Sequence, residues 1–133
     1  LLGAAPRYLA VLNLAAEKAG WGSALPAGHA HGLALHESFG AIVAEVAEVS
    51  IEAGEPRVHR VVCAIDCGTV VNPDTVAQQV EGAVIFGLTA ALYGRVDIQD
   101  GVVQQKSLLR AELSKMTERL SRCRKATRSP LRP

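Results

Sequence analysis

The chain has 133 residues, enough for one domain or for a segment of a larger one. Apolar residues make up 49% of it and aromatic residues only 4%, so a core would be packed from small aliphatic side chains. The formal net charge is +1, and three cysteines give no even framework, which excludes a disulfide-rich secreted scaffold. We expect no apolar run long enough to cross a bilayer, and no charged segment precedes an apolar stretch as in a signal peptide.

The near-neutral total charge hides two segments of opposite sign. Residues 106–133 carry nine basic and two acidic side chains, whereas residues 1–105 carry five basic and eleven acidic ones. We therefore expect a structured segment over 1–105 and a separate basic tail over 106–133. The Arg-, Ser- and Pro-rich composition of the tail is typical of an out-of-frame or truncated reading frame, and in that case the tail is disordered and dispensable.

A second interpretation of the tail is a basic amphipathic helix with an apolar seam. Such a helix would bind a partner protein, an acidic membrane or nucleic acid. No nucleic acid is expected, because the tail lacks aromatic side chains on which bases could stack. The seam would consist of Leu109, Leu113, Met116 and Leu120.

The first half of the chain predicts one helix followed by strands. Residues 6–19 have apolar side chains at spacings of three and four, with Pro6 in the first turn and a Gly-Trp-Gly stop at 20–22. Extended segments are expected at 32–40, 41–51 and 57–65. The turn signal at 53–56 should join the last two as an antiparallel hairpin.

A second, longer helix should begin at Asn72-Pro73-Asp74 and run to about Tyr93, with Gly94 as a left-handed stop. The small residues along it favour close approach of another element. A short hairpin should follow around the dipeptide at 100–101. These elements predict an α+β fold in which antiparallel strands pack with a long small-residue helix.

Cysteine and histidine give weak site signals. Cys63 and Cys67, four apart on a strand, would be about 13 Å apart, too far for a disulfide, so we expect structural thiols. His29, His31 and His36 could approach one another, but no carboxylate pattern accompanies them, and we expect no metal site.

Two residues are candidates for cofactor binding. Gln79 is neutral, both donates and accepts hydrogen bonds, and would lie in the first turns of the second helix, where an anion is favoured. Asp66 opens an Asp-Cys-Gly turn, where it either binds a ligand or caps its own turn. The turn at 66–68, the Asn-Pro at 72–73 and the Gln-Val-Glu-Gly segment at 79–82 lie within one continuous stretch, 62–94.

That stretch resembles the C-terminal region of the molybdopterin-binding large subunit of the xanthine dehydrogenase/aldehyde oxidase family, and is most similar to its bacterial isoquinoline 1-oxidoreductase branch. The resemblance implies a partial molybdopterin-binding domain over 1–105, with Gln79 on the cofactor, in the cytosine dinucleotide form. It implies iron–sulfur clusters in a separate small partner subunit. It also implies oxidation of aldehydes or N-heterocycles with water-derived oxygen, in the bacterial cytoplasm or periplasm.

The resemblance breaks after Gln105, where family members continue to a Gly-x-Gly-Glu motif that holds the catalytic base. No such motif is present, so we expect no catalytic residue in this chain and no activity from the chain alone. The alternative function is a non-catalytic interaction module whose basic C-terminal helix binds an acidic partner.

Overall fold

The computed structural model describes residues 5–94 and 96–104. The predicted tail and its amphipathic helix lie outside the described residues. The described part divides into two units, one up to residue 73 and one from residue 74, and each is considered by itself. The elements in chain order are α1 (Pro6–Ala19), β1 (His29–Ser38), β2 (Ala41–Glu52), β3 (Glu55–Asp66), α2 (Pro73–Tyr93), β4 (Ile98–Gln99) and β5 (Val102–Val103).

Helix α1 begins and ends where the sequence predicts. Pro6 stands in the first turn, where its missing N–H is not needed. At the other end Gly20 adopts φ 72°, and the Trp21 N–H donates to the Ala16 carbonyl at 2.9 Å. The Gly20 N–H donates to the Glu17 carbonyl at 3.1 Å, which completes the paired bonds of a Schellman motif.

The first unit contains a three-stranded antiparallel sheet in the order β1-β2-β3. Two-residue turns at 39–40 and 53–54 join the strands, and all four turn residues have positive φ. This is the turn geometry that matches the twist of paired strands. The register shifts between Glu48 and Val49: Glu48 pairs with Arg60 and Val49 with Val58, so His59 is the additional residue of a bulge in β3.

The core of this unit lies between α1 and one face of the sheet. Alternate residues of β2 are buried, as the two-residue period of a strand requires. Ala15 and Ala44 are completely buried, so small side chains let the helix approach the sheet closely. The core consists of Val11, Ala15, Ala19, Ile42, Ala44, Val46, Val62 and Ala64.

The expected α+β class is confirmed, with antiparallel strands and helices. The helix that packs on the sheet within the first unit is α1. The expected packing of the small-residue helix on the strands stays a prediction. Strand β1 begins at His29, three residues before the predicted start at Gly32, because pairing with β2 extends to the His29–Ser50 pair.

Helix α2 has the predicted bounds, but the expected left-handed conformation of Gly94 is wrong. Gly94 is not among the residues with positive φ, and its N–H donates to the Ala90 carbonyl at 3.0 Å. A Cβ on Gly94 would lie 2.3 Å from that same carbonyl oxygen. Glycine is therefore required here because a Cβ would clash with the Ala90 carbonyl oxygen, and not because φ is positive.

One borderline helix bears on the expectation that no apolar run is long enough to span a bilayer. Among the described residues, α2 has 21 residues and is apolar enough to cross a membrane by length and composition. Asp74, Gln78, Gln79 and Glu81 make its first half polar. A long apolar helix of a soluble assembly passes the same test, so this observation alone assigns no membrane segment.

The second unit ends in the predicted short hairpin. Strands β4 and β5 pair antiparallel, Ile98 with Val103 and Gln99 with Val102. Asp100 and Gly101 form the turn with φ of 51° and 76°. The Asp-Gly pair is typical of this turn because both residues tolerate positive φ.

Candidate cofactor site

Gln79 lies in α2, six residues after Pro73 and exposed to solvent. At 1.5 Å per residue it is about 9 Å along the helix from the first residue. The macrodipole acts mainly within the first turn, so the expected help from the helix N-terminus is small at this position. What Gln79 offers a ligand is its carboxamide, which presents two N–H donors and one carbonyl acceptor.

One face of α2 is exposed along its whole length, and Gln79 belongs to it. Around this residue the face is open: a Cβ placed on Gly82 or on Gly87 would meet nothing within 4 Å. The helix therefore leaves room for close approach beside the Gln79 carboxamide. The exposed face consists of Asp74, Thr75, Gln78, Gln79, Gly82, Ala83, Phe86, Gly87, Ala90 and Ala91.

Asp66 ends β3 and uses both carboxylate oxygens within the chain. Oδ2 accepts a hydrogen bond from Arg7 Nε at 2.8 Å, and Oδ1 accepts one from the Gly68 N–H at 3.1 Å. The bond to Arg7, followed by the bond to Gly68, lowers the pKa of Asp66 below its usual value. Asp66 thus caps its own turn, one of its two predicted alternatives, and a further role on a cofactor stays a prediction.

Arg7 joins three parts of the first unit. Its Nη2 donates to the Gly40 carbonyl at 3.3 Å while its Nε holds Asp66. The β1–β2 turn consists of residues 39–40, and Ile42, just after it, pairs with Asp66. This turn and the end of β3 therefore lie at the same end of the sheet. Beside it, the Tyr8 hydroxyl donates to the Glu37 carboxylate, which raises the pKa of Tyr8. Two side chains of α1 therefore fix this end of the sheet.

The histidines do not form the cluster that the sequence left open. His29 Nδ1 lies 2.7 Å from Glu48 Oε1, and its ring stacks on that of His59 with centroids 4.2 Å apart. His31 stacks instead on Trp21, with centroids 5.8 Å apart. Within residues 5–94 and 96–104, no group of three or more metal-ligating side chains is brought together.

His59 also meets Ser50 and Glu52, but not in the geometry of a nucleophilic triad. Ser50 Oγ lies 2.7 Å from His59 Nε2, and Glu52 Oε1 lies 3.7 Å from that same nitrogen. A triad needs the acid on the opposite ring nitrogen, where it orients the imidazole. Ser50 is also buried, so this group is a polar contact of the sheet rather than a reactive centre.

Cys63 is a structural thiol, as the sequence predicts. It lies opposite Glu45 in the sheet, and both Cys63 and Cys67 are free. Burial, followed by the charge of Glu45, raises the pKa of the Cys63 thiol to about 12. A thiol with so high a pKa carries almost no thiolate at neutral pH and is a poor nucleophile.

Within the described residues, the α+β unit is followed by α2, which exposes the Gln79 carboxamide. A family model described as a molybdopterin cofactor-binding domain matches residues 7–118. The chain belongs to this molybdopterin cofactor-binding domain family. The match includes α1 and runs past residue 105.

Two curated relatives support the same assignment. The chain is 40% identical over 111 residues to the isoquinoline 1-oxidoreductase subunit beta of Brevundimonas diminuta, covering 80% of this chain and 14% of the relative. It is 32% identical over 115 residues to the membrane-bound aldehyde dehydrogenase (pyrroloquinoline-quinone) of Gluconacetobacter polyoxogenes, covering 80% of this chain and 15% of the relative. The chain thus spans about one seventh of the length of either relative. No solved structure matches significantly.

The resemblance to the xanthine dehydrogenase/aldehyde oxidase family is confirmed by these matches. The sequence missed Arg7, the residue that binds Asp66, because the two are 59 positions apart and no local pattern links them. It also missed the stacking of His59 on His29. His59 is the additional residue of the β3 bulge, and a bulge can be recognised only when the pairing register is known.

Proposed function

We propose that this chain is a segment of the molybdopterin-binding large subunit of a molybdenum hydroxylase, and that Gln79 contacts the pterin. The observation that carries the proposal is the exposed Gln79 on an open helix face within a matched molybdopterin-binding domain. A pterin has ring N–H groups and carbonyl oxygens side by side. A carboxamide can pair with both kinds of group at once.

The residues around Gln79 fit such a ligand. Gly82 lies three positions further on the same helix face, and no atom lies within 4 Å of where its Cβ would be. A flat ring system can therefore approach the helix backbone closely without a clash. When bound, the cofactor supplies the redox chemistry, and the chain's own residues orient it by hydrogen bonding.

The finer properties follow from the family and are part of the proposal. The cofactor is the cytosine dinucleotide form, and electrons leave through iron–sulfur clusters of a small partner subunit. The substrate is an aldehyde or an N-heterocycle, which receives oxygen from water. Since the chain covers only about one seventh of its relatives, the remaining pocket and the catalytic base come from elsewhere, and the chain alone does not turn over substrate.

The test places this segment in a complete subunit. Residues 7–118 would replace the matched segment of the Brevundimonas diminuta subunit, and molybdenum and pterin per polypeptide would be measured by elemental analysis and by fluorescence of the oxidised pterin. Gln79→Leu should weaken cofactor binding by up to roughly tenfold and lower both contents, because the hydrogen bonds of the carboxamide are lost. Gln78→Leu introduces the same substitution at the neighbouring glutamine of the same exposed face, and so tests whether the loss is specific to Gln79.

The same experiment distinguishes the two cofactors named by the comparisons. The name of the Gluconacetobacter polyoxogenes relative assigns it pyrroloquinoline quinone, whereas the family model describes molybdopterin binding. Pyrroloquinoline quinone without molybdenum in the purified subunit would refute the proposal. Equal molybdenum in the Gln79 and Gln78 variants would remove Gln79 from the site while leaving the family assignment intact.

The second candidate function is an interaction module whose basic segment 106–133 binds an acidic partner. The observation that favours it is the excess of nine basic over two acidic residues in that segment. Binding to an acidic protein should then weaken steeply with salt and be lost when 106–133 is deleted. Unchanged cofactor content and unchanged binding after that deletion would exclude it.

A further inference from the structure

Phe39 stands at the tip of the β1–β2 turn in a conformation that suits it poorly. Its φ is 51°, in the left-handed region, and its relative exposure is 108%. Asparagine, aspartate and glycine adopt this conformation readily, whereas a bulky side chain is strained there. Because the ring is fully exposed, burial within the chain does not offset that strain.

The tip is nevertheless held firmly. The Arg7 guanidinium donates to the Gly40 carbonyl next to Phe39, and the Tyr8 hydroxyl donates to the carboxylate of Glu37, two residues before it. Both donors come from α1, which packs on the sheet. The aromatic ring is thus presented on a fixed support, and a preorganised contact loses less conformational entropy when it forms.

A second exposed apolar side chain comes five residues after the end of β3 in the sequence. Val71 is 94% exposed, in the segment that follows β3. That strand ends at Asp66, which pairs with Ile42 beside the Phe39 turn. We call the surface formed by Phe39, Gly40 and Asp66 the Phe39 end.

We propose that the Phe39 end docks the first unit onto the remainder of the large-subunit polypeptide, with Phe39 as the anchor in an apolar pocket there. This inference rests on the proposed function, since the occupant is the rest of that subunit. The relatives carry roughly six times as much polypeptide outside the matched segment as within it, so most of the structure that could cover this surface lies outside the chain. Exposed aromatic side chains on rigid supports are the usual anchors of protein interfaces.

The first arm of the test measures the 133-residue chain alone by thermal unfolding. Phe39→Asn should raise the unfolding midpoint by roughly 4–8 °C, because asparagine tolerates the left-handed conformation. Ala53→Asn is the matched control: Ala53 has φ 52° in the turn at the other end of the sheet. A lower midpoint for Phe39→Asn would show that Phe39 stabilises the chain itself and would overturn the proposal.

The second arm measures the same variants in the Brevundimonas diminuta subunit that carries residues 7–118 of this chain. Here Phe39→Asn should lower the unfolding midpoint by several degrees and increase cleavage by a protease at the segment boundaries. Ala53→Asn should still raise the midpoint. A rise for both variants, or failure of the unsubstituted segment to assemble, would overturn the proposal.

Two further results separate the alternatives. Sedimentation of the isolated chain that shows a dimer dissociated by Phe39→Asn would assign the surface to a second copy and refute docking on the subunit. Gln79→Leu should lower the molybdenum content. It should not alter the direction in which Phe39→Asn shifts the unfolding midpoint, either in the isolated chain or in the subunit. If the subunit assembles through Phe39 but holds no molybdenum, the proposed function fails and the docking inference stands.

Discussion

Arg7 and Asp66, separated by 59 positions, form an ion pair of 2.8 Å that connects the first turn of α1 to the last residue of β3. The same guanidinium bonds the Gly40 carbonyl. One side chain thus fixes both the β1–β2 turn and the end of β3, where the Asp-Cys-Gly turn begins. Charged groups at the surface contribute modestly to stability, so we expect the pair to determine local order more than global stability.

Arg7→Ala should lower the urea midpoint of unfolding modestly at pH 7, and the difference from the unsubstituted chain should shrink in acid. The folded pKa of Asp66 is lowered, mainly by Arg7. The stabilisation is therefore fully present above the unfolded pKa of about 4 and is lost as the pH falls through the lower, folded value. Urea titrations at pH 7 and at pH 2 to 3, followed by circular dichroism, would measure this.

Arg7→Lys is the control for geometry. Lysine keeps the charge but cannot bond Asp66 and the Gly40 carbonyl through one planar group. Arg7→Lys should therefore recover only part of the urea midpoint that Arg7→Ala loses. An Arg7→Ala difference that does not shrink as the pH falls below about 4 would contradict the ion pair as its cause.

The sequence predicted most of the elements because their ends are marked locally. Pro6 and the glycine after Ala19 bound α1, and the Asn-Pro-Asp sequence marks the start of α2. The first residues of β1 were missed because His29 and its neighbours form a strand only through pairing with β2. Gly94 was assigned the wrong conformation, since the sequence does not show whether a glycine after a helix is needed for a positive φ or to avoid a clash.

The candidate site was only partly predictable for the same reason. Gln79 was selected by its residue type and by the resemblance of segment 79–82, both of which are local. Arg7 could not be selected, because its role depends on the fold that brings α1 to the end of β3. Long-range contacts of this kind are fixed by packing and leave no periodic signal.

A variant that retains only Cys63 should react with iodoacetamide about a thousand times more slowly when folded than when unfolded in urea. Burial, with Glu45 opposite, raises the pKa of this thiol from 9.0 to about 12, so the thiolate fraction at neutral pH falls by three powers of ten. Because the folded pKa is raised, the free energy of unfolding should fall as the pH rises above about 9. Mass spectrometry of timed samples measures the rate, and equal rates in both states would contradict the burial.

Two isoleucines of β2 provide a matched pair for the core. Ile42 is 1% exposed between the sheet and α1, whereas Ile51 is 69% exposed near the end of the same strand. Ile42→Ala should decrease the free energy of unfolding by about 2–5 kcal/mol, because it removes buried methyl groups and leaves a cavity. Ile51→Ala should change it by less than about 0.5 kcal/mol. Denaturant unfolding measures both free energies. Equal losses for the two variants would contradict the packing of α1 on the Ile42 face of the sheet.

Gly82 and Gly87 are expected to oppose helix stability in the isolated chain. A Cβ at either position meets nothing within 4 Å, so alanine adds helix propensity without a clash. Each substitution should stabilise α2 by up to about 1 kcal/mol and increase the helical signal in circular dichroism. Gly94→Ala is the opposite control, since its Cβ would lie 2.3 Å from the Ala90 carbonyl oxygen and must distort the last turn.

In the assembled subunit the two glycines should differ from this pattern if the proposed cofactor site is correct. Gly82 is on the same exposed face as Gln79 and three residues beyond it, so a methyl group there reduces the space for a ring at the carboxamide. Gly82→Ala should therefore lower the molybdenum content of the subunit even though it stabilises the isolated helix. Gly87→Ala, more than one turn further from Gln79, should affect the content less. Equal molybdenum in both variants would place the cofactor away from this part of α2.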